Sequence, residues 1–288
     1  MHTAQDQQHV NHNIKETKSG KKTIEVSESA FLSPDYDENC TKRGLAVFVQ
    51  NFDQQCVDIE TLNGQCNKLV ELLESYEYLF EIFENDGKQI HKNLSQDDLY
   101  TLCSSVAKEI DNNEYSYHYC LLFIILGHGS PGIIRCKTDT GSTEYAELSK
   151  IMELFQPQNC AALALKPKVF IVQTMEPKDP NQADALGMPD DATEKKQQRI
   201  PRESDFLTYT SDEPFYLSDN KFLKAIIKTL EDEQNTWITQ SSRVNPIPVT
   251  EIQSLLIKFN RELKKTDSKV AYTTSSLTRK MYLQKRKF

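Results

Sequence analysis

The chain has 288 residues, 38% of them hydrophobic, with a formal net charge of −8 and a sequence pI near 5.4. That length suits one large α/β domain or two small ones, and the acidic balance argues against nucleic acid or an anionic membrane as the main partner. The longest apolar run is about six residues, against the roughly 20 of a bilayer-spanning helix.

The polar N-terminus predicts no signal peptide. The seven Cys are scattered with no CxxC pair, which predicts reduced thiols and a cytoplasmic location rather than a disulfide framework. Residues 1–42 hold Gln, Asn, His, Lys, Glu and Ser with few large apolar side chains, and predict a flexible N-terminal segment. His2, His9 and His12 have no Cys or carboxylate cluster to back them, so neither a metal site nor any other cofactor is expected.

Residues 44–49, GLAVFV, predict the first strand. Cys66, Leu69, Val70, Leu72 and Leu73 fall close to helical spacing over 65–75. Residues 78–83 predict a second strand. Ser95 is placed as the N-cap of a helix whose apolar face is Leu99, Leu102, Val106 and Ile110. A buried strand follows at 119–126. This β-α-β-α-β order predicts a parallel sheet with helices on both faces.

Residues 132–137 and 140–145 predict a small hairpin, and 147–155 a short helix. The run 169–172, mostly β-branched, reads as a fully buried strand. Residues 176–199, rich in Lys, Asp, Gln and Pro, predict a linker. A strand at 205–210 and amphipathic helices at 221–230 and 249–263 come next. The second helix carries Ile252, Leu255, Leu256, Phe259 and Leu263 on one face. A final strand is expected within 270–283, over SSLTRKMYL. There is no internal repeat.

Ligands and catalytic groups in open α/β sheets sit beyond the carboxyl ends of the strands. One buried strand here runs into Gly127-His128-Gly129, with the imidazole expected to point into a cleft. Another runs into Gln173-Thr174-Met175-Glu176-Pro177. His128 and Met175 are 47 residues apart. The caspase His lies about 50 residues before the Q-A-C-[RQG]-G motif. The chain therefore resembles a caspase in which QTMEP stands where that motif belongs.

The resemblance runs from about residue 43 to residue 283. It includes Arg43-Gly44 and the apolar run after them, Gly127-His128-Gly129 with Gly132-Ile133-Ile134, and Cys160 before KPKVFIVQ. Ile200, Pro201, Glu203, Asp205, Phe206 and Leu207 match the family's Ile-Pro-x-Glu-x-Asp-Phe-Leu, and Leu277 to Leu283 echoes its closing motif. The resemblance implies a caspase-like α/β fold: a mostly parallel six-stranded sheet with helices on both faces. It divides the chain into a flexible segment 1–42, a large-subunit-like part 43–175, a linker 176–199 and a small-subunit-like part 200–288. It also implies a final strand that pairs with its counterpart in a second protomer, since strand edges present unpaired N–H and C=O groups.

Residue by residue, His128 and Gly129 match the family's base and one oxyanion donor. Met175 falls at the nucleophile position, where a thioether has no ionisable proton. Gln173 matches one of the three residues with which the family holds a substrate aspartate. The two Arg partners are missing, because no Arg lies between Arg43 and Arg135, and Asp212, Glu213 and Asp219 follow Tyr209-Thr210-Ser211.

The expectation is then a pseudocaspase: no enzyme, with a vestigial His128 and Gly129, no cofactor and no metal. It would regulate an active caspase paralogue by heterodimerisation, or pair with itself as a homodimer, in apoptosis or a related pathway. Ser275, Leu277, Thr278, Met281 and Tyr282 are the expected interface. An active cysteine endopeptidase with an altered nucleophile or specificity is one alternative. A caspase decoy substrate, cut in the linker at Asp184, Asp190 or Asp191, is the other.

Overall fold

Four apolar runs set the centre of the molecule. They form β3 (Lys42–Asn51), β6 (His118–Ser130), β9 (Lys168–Met175) and β10 (Phe206–Ser211), each parallel to its neighbour. The structure is a computed structural model that describes residues 13–16, 22–25, 33, 35–36, 42–52, 59–112, 118–136, 143–175, 204–212, 220–241 and 249–284. β4 (Phe80–Ile82) lies parallel outside β3, and β11 (Tyr272–Ser275) lies antiparallel outside β10. The six-strand path β11-β10-β9-β6-β3-β4 is the mostly parallel sheet that the sequence predicts. β5 (Ile90–Lys92) adds to β3, and the hairpin β7 (Ile133–Cys136) and β8 (Glu144–Glu147) adds to the end of β6. β1 (Asn13–Glu16) and β2 (Lys22–Glu25) form a separate antiparallel pair.

Alternation along each strand divides the core in two. β6 sends Leu122, Ile124 and Leu126 to one face, where α1 (Ile59–Glu74), α4 (Lys221–Ser241) and α5 (Ile252–Lys265) cover them. It sends Leu121, Phe123 and Ile125 to the other, under α2 (Gln96–Asp111) and α3 (Leu148–Leu154). Each buried apolar side chain contributes about 1.5–3 kcal/mol, so a sheet covered on both faces is far more stable than any helix in it. Ser95 caps α2 as expected: its hydroxyl accepts from Asp98 N at 3.0 Å, a contact worth about 1 kcal/mol. No helix among the described residues is long and apolar enough to cross a membrane.

Several placements differ from the sequence reading; the helix expected over 221–230, for one, continues to Ser241. The strand expected over 78–83 is only Phe80–Ile82, because Leu79 takes a φ of 54° and Tyr78 turns into the core, where its hydroxyl donates to Leu230 O at 2.8 Å. The last strand is Tyr272–Ser275, so it shares only Ser275 with the expected SSLTRKMYL at 275–283. Beyond it Met281 and Leu283 are buried in the α1/α4/α5 face, and the backbone there makes only isolated bridges, Lys280 to Asp35 and Tyr282 to Glu251, instead of a ladder. Tyr36, inside the stretch expected to be flexible, is only 3% exposed. The linker 176–199, with Asp184, Asp190 and Asp191, lies outside the described residues, as do His2, His9 and His12.

Candidate functional site at the carboxyl ends of β6 and β9

β6 and β9 are adjacent, and their register sets His128 opposite Met175 and Gly127 opposite Thr174. The two strand ends singled out in the sequence are therefore neighbours in one ladder. Gly127 is needed because a Cβ there would stand 2.7 Å from Asn51 O on β3. Gly129 takes a φ of 144°, and a Cβ would lie 2.1 Å from Ile133 O. Only glycine allows β6 to turn into β7 this tightly.

The His128 side chain is 1% exposed, and Phe52 meets its ring edge-on at 5.5 Å. It is packed into the structure rather than open to a cleft, contrary to the sequence expectation. Phe52 follows directly on β3, whose last residue, Asn51, ties three elements together. Its Oδ1 accepts from Leu94 N at 2.9 Å, and its Nδ2 donates to Leu94 O at 3.0 Å and to Arg135 O at 3.4 Å. Neither Asn51 nor Phe52 carries a sequence signal, since both act through partners more than 40 residues away.

Gln173 is fully buried, and its Oε1 accepts from Asn220 Nδ2 at 2.9 Å. Asn220 Oδ1 accepts in turn from Leu223 N at 3.0 Å, at the start of α4. The residue expected in a substrate pocket is thus anchored to a helix terminus. An Asn just before an apolar periodic run is a readable N-cap signal, and it could have identified this partner. Thr174 Oγ1 donates to Ser130 O at 3.1 Å, which links the two strand ends a second time.

Arg43 sits at the opposite end of β3. Its guanidinium packs over the Tyr119 ring at 3.8 Å, and its Nε donates to Tyr282 O at 2.9 Å. Arg135 Nη2 donates to Thr143 Oγ1 at 3.4 Å. Asp212 pairs with Lys269 at 3.4 Å, while Glu213 and Asp219 lie outside the described residues. Of the five expected interface residues, Ser275 ends β11. Thr278 donates its hydroxyl to Asp205 at 2.6 Å, and Met281 is buried. Leu277, Thr278 and Tyr282 line an open groove of about 820 Å³ beside the start of α5.

Burial pushes the thiols of Cys66 and Cys136 up to about 11 and that of Cys160 up to about 12. Cys103 is raised by the same cause. A thiol three units above the ambient pH is roughly a thousandth thiolate, and the thiolate is the reactive form. A brief exposure of the native protein to iodoacetamide at pH 8 should leave these four unmodified by mass spectrometry. All four should label after denaturation. Labelling of Cys136 in the native protein would contradict this packing.

A parallel α/β sheet that brings a histidine and the end of the neighbouring strand together at its carboxyl edge belongs to the class with sites beyond the strand ends. Residues 43–282 match the family model described as Caspase domain, and the chain belongs to the caspase family. It is 25% identical to mouse (Mus musculus) Caspase-3 over 291 residues, covering 97% of each chain. It is 28% identical to human (Homo sapiens) Caspase-10 over 225 residues, covering 76% of this chain and 38% of that one. Its fold is similar to the solved structure of pro-sf-caspase-1, with a TM-score of 0.63, 20% identity, and coverage of 91% of this chain and 96% of that one.

This membership corrects the expectation that the chain is not an enzyme. The family is a peptidase family, its model spans the sheet and both helix layers, and the relatives that match along the chain are caspases. Met175 is the last residue of β9 and lies within the stretch that the family model matches. The surrounding framework, with His128 in register opposite it, is that of the family.

Proposed function

We propose that this caspase-family chain acts in an apoptosis-related pathway by pairing with a second caspase-domain chain and changing that partner's activity. The observation that carries the reading is the position of β11. It closes one end of the sheet path, and among the described residues nothing pairs with its outer side. Tyr272, Thr273 and Ser275 are exposed there, and Tyr272 is the large apolar member of the group. An exposed antiparallel edge of this kind accepts a further strand through main-chain hydrogen bonds, which tolerate different side chains in the partner.

The partner is an active caspase paralogue, giving a heterodimer, or a second copy of this chain. Ser275 belongs to the pairing edge itself. Leu277, Thr278, Met281 and Tyr282 support it from the segment behind. Pairing that holds the partner's loops in one arrangement shifts its population toward or away from the active state. The parts 43–175 and 200–288 take the places of a large and a small subunit around the linker, in which Asp184, Asp190 and Asp191 are the proposed processing positions.

Co-expression with caspases of the same organism tests this reading. Size measurement should show a complex of two caspase domains, and the partner's peptide hydrolysis should change when the complex forms. The same fractions, assayed with a peptide library, measure hydrolysis by this chain itself. Separate elution of every pair with unchanged rates would rule the proposal out.

A further inference from the structure

A buried carboxylate ties Tyr36 to the segment after β11. Asp205 is 1% exposed and takes a φ of 75° at the start of β10. Its Oδ1 accepts from the hydroxyls of Tyr36 and Thr278, both at 2.6 Å, and its Oδ2 accepts from Ser204 Oγ at 3.1 Å. Its backbone N–H donates to Ser276 O at 2.9 Å, and its carbonyl accepts from Lys168 N at 2.8 Å. Asp205 thus joins β9, β10, the segment after β11, and residue 36 in front of the domain.

Tyr36 is the N-terminal member of this arrangement. It is buried, and its hydroxyl accepts from Thr278 N at 3.2 Å while donating to Asp205. Its own N–H donates to Lys280 O at 3.4 Å, and Asp35 bridges Lys280 in parallel. The Tyr119 ring meets it edge-on at 6.3 Å, and the Arg279 guanidinium lies 5.5 Å from its ring centre. Burial and the neighbouring carboxylate push its phenol above the ordinary value, so it remains a donor at neutral pH. Arg43 adds the second hold, donating to Tyr282 O while packing on the other ring, Tyr119.

The segment held in this way begins at Ser276, one residue after β11. We infer that Asp35–Tyr36, together with Arg43, is a clasp that fixes residues 276–283 and through them the edge strand, so that the N-terminal segment controls how well β11 is presented for pairing. Charge-assisted hydrogen bonds to a buried carboxylate are among the stronger ones in a protein. The clasp's last step, control of pairing, rests on the function proposed above.

Hydrogen exchange of the full chain, read by peptide mass spectrometry, tests the clasp independently of any partner. Tyr36→Phe keeps the ring and removes one hydroxyl, and Tyr36→Ala removes both. Exchange across 272–283 should be about tenfold faster in Tyr36→Phe and faster still in Tyr36→Ala, while 121–126 exchanges as in the parent. Association with a caspase-domain partner should weaken in the same order. Unchanged exchange across 272–283 in Tyr36→Phe would overturn the clasp, even if Tyr36→Ala failed to fold. Faster exchange with no association in the parent protein would uphold the clasp and instead refute the pairing function.

Discussion

Gly129→Ala should destabilise the protein by about 3 kcal/mol or more, through strain and a backbone clash that has no soft side to yield. The added Cβ would lie 2.1 Å from Ile133 O and 3.2 Å from Arg135 N, at a φ of 144° that L side chains rarely adopt. Relief requires β7 to move away from β6, and that movement breaks the Gly129–Ile134 and Ser130–Ile133 pairs. It also releases the strand end that carries His128 against Phe52. Gly64→Ala is the matched control, since nothing lies within 4 Å of a Cβ there and the residue is exposed in α1. It should stabilise by about 0.5–1 kcal/mol, because alanine is the better helix former. Thermal unfolding of the two variants side by side should move in opposite directions. A Gly129→Ala protein that melts with the parent would show that the turn is placed wrongly.

Phe170→Ala should cost about 3–5 kcal/mol. Phe170 is fully buried in β9 and stacks on Phe123 at 5.5 Å and on Phe206 at 6.2 Å, with Phe155 inclined against it at 6.1 Å. Three parallel strands and the end of α3 thus meet on one ring. Alanine would leave a cavity that the sheet cannot close without bending three ladders. For a domain of this size the loss corresponds to a fall in Tm of about 6–20 °C, and it removes a large share of a net stability that is typically about 5–15 kcal/mol. A calorimetric Tm within about 2 °C of the parent would contradict the layer.

The same aromatic layer explains why the fold was legible. Runs such as 121–126 and 169–172 are apolar at every position because both faces are covered, and their shortness and β-branched content mark them as central parallel strands. Helix faces were equally readable. Ile252, Leu255, Leu256, Phe259 and Leu263, grouped by spacing alone, are the buried residues of α5. Sheet edges were not. β5 is three residues long, and β11 is almost entirely polar, so neither leaves a hydrophobic period to detect.

The candidate site divides along the same line. His128 and residue 175 were brought together by sequence because each ends a strong strand. Phe52, Asn51 and Asn220 were missed because each acts through a contact far along the chain. Tyr36 was hidden in a polar segment whose composition is that of a flexible tail. Its burial depends on Asp205, a residue 169 positions away. Inactivity was read from Met175 at one strand end together with the two missing Arg partners, and family membership across residues 43–282 overrode it.

The backbone geometry of β11 singles out one substitution that would block pairing through its outer side. Ser276 donates its N–H to Phe206 O, so residues 272 and 274 turn their backbone groups toward β10 and residues 273 and 275 turn theirs outward. Thr278, by contrast, spends its N–H on Tyr36 and its hydroxyl on Asp205. Thr273→Pro therefore removes an outward donor while sparing the ladder to β10, a change that edge strands tolerate. The measurement is the association constant of the full chain with its caspase-domain partner by analytical ultracentrifugation, for the parent, Thr273→Ala and Thr273→Pro. With pairing through this edge, Thr273→Ala should associate nearly as the parent does and Thr273→Pro about tenfold or more weakly, with Tm close to the parent in both. Parental affinity in a Thr273→Pro protein that still folds would contradict it.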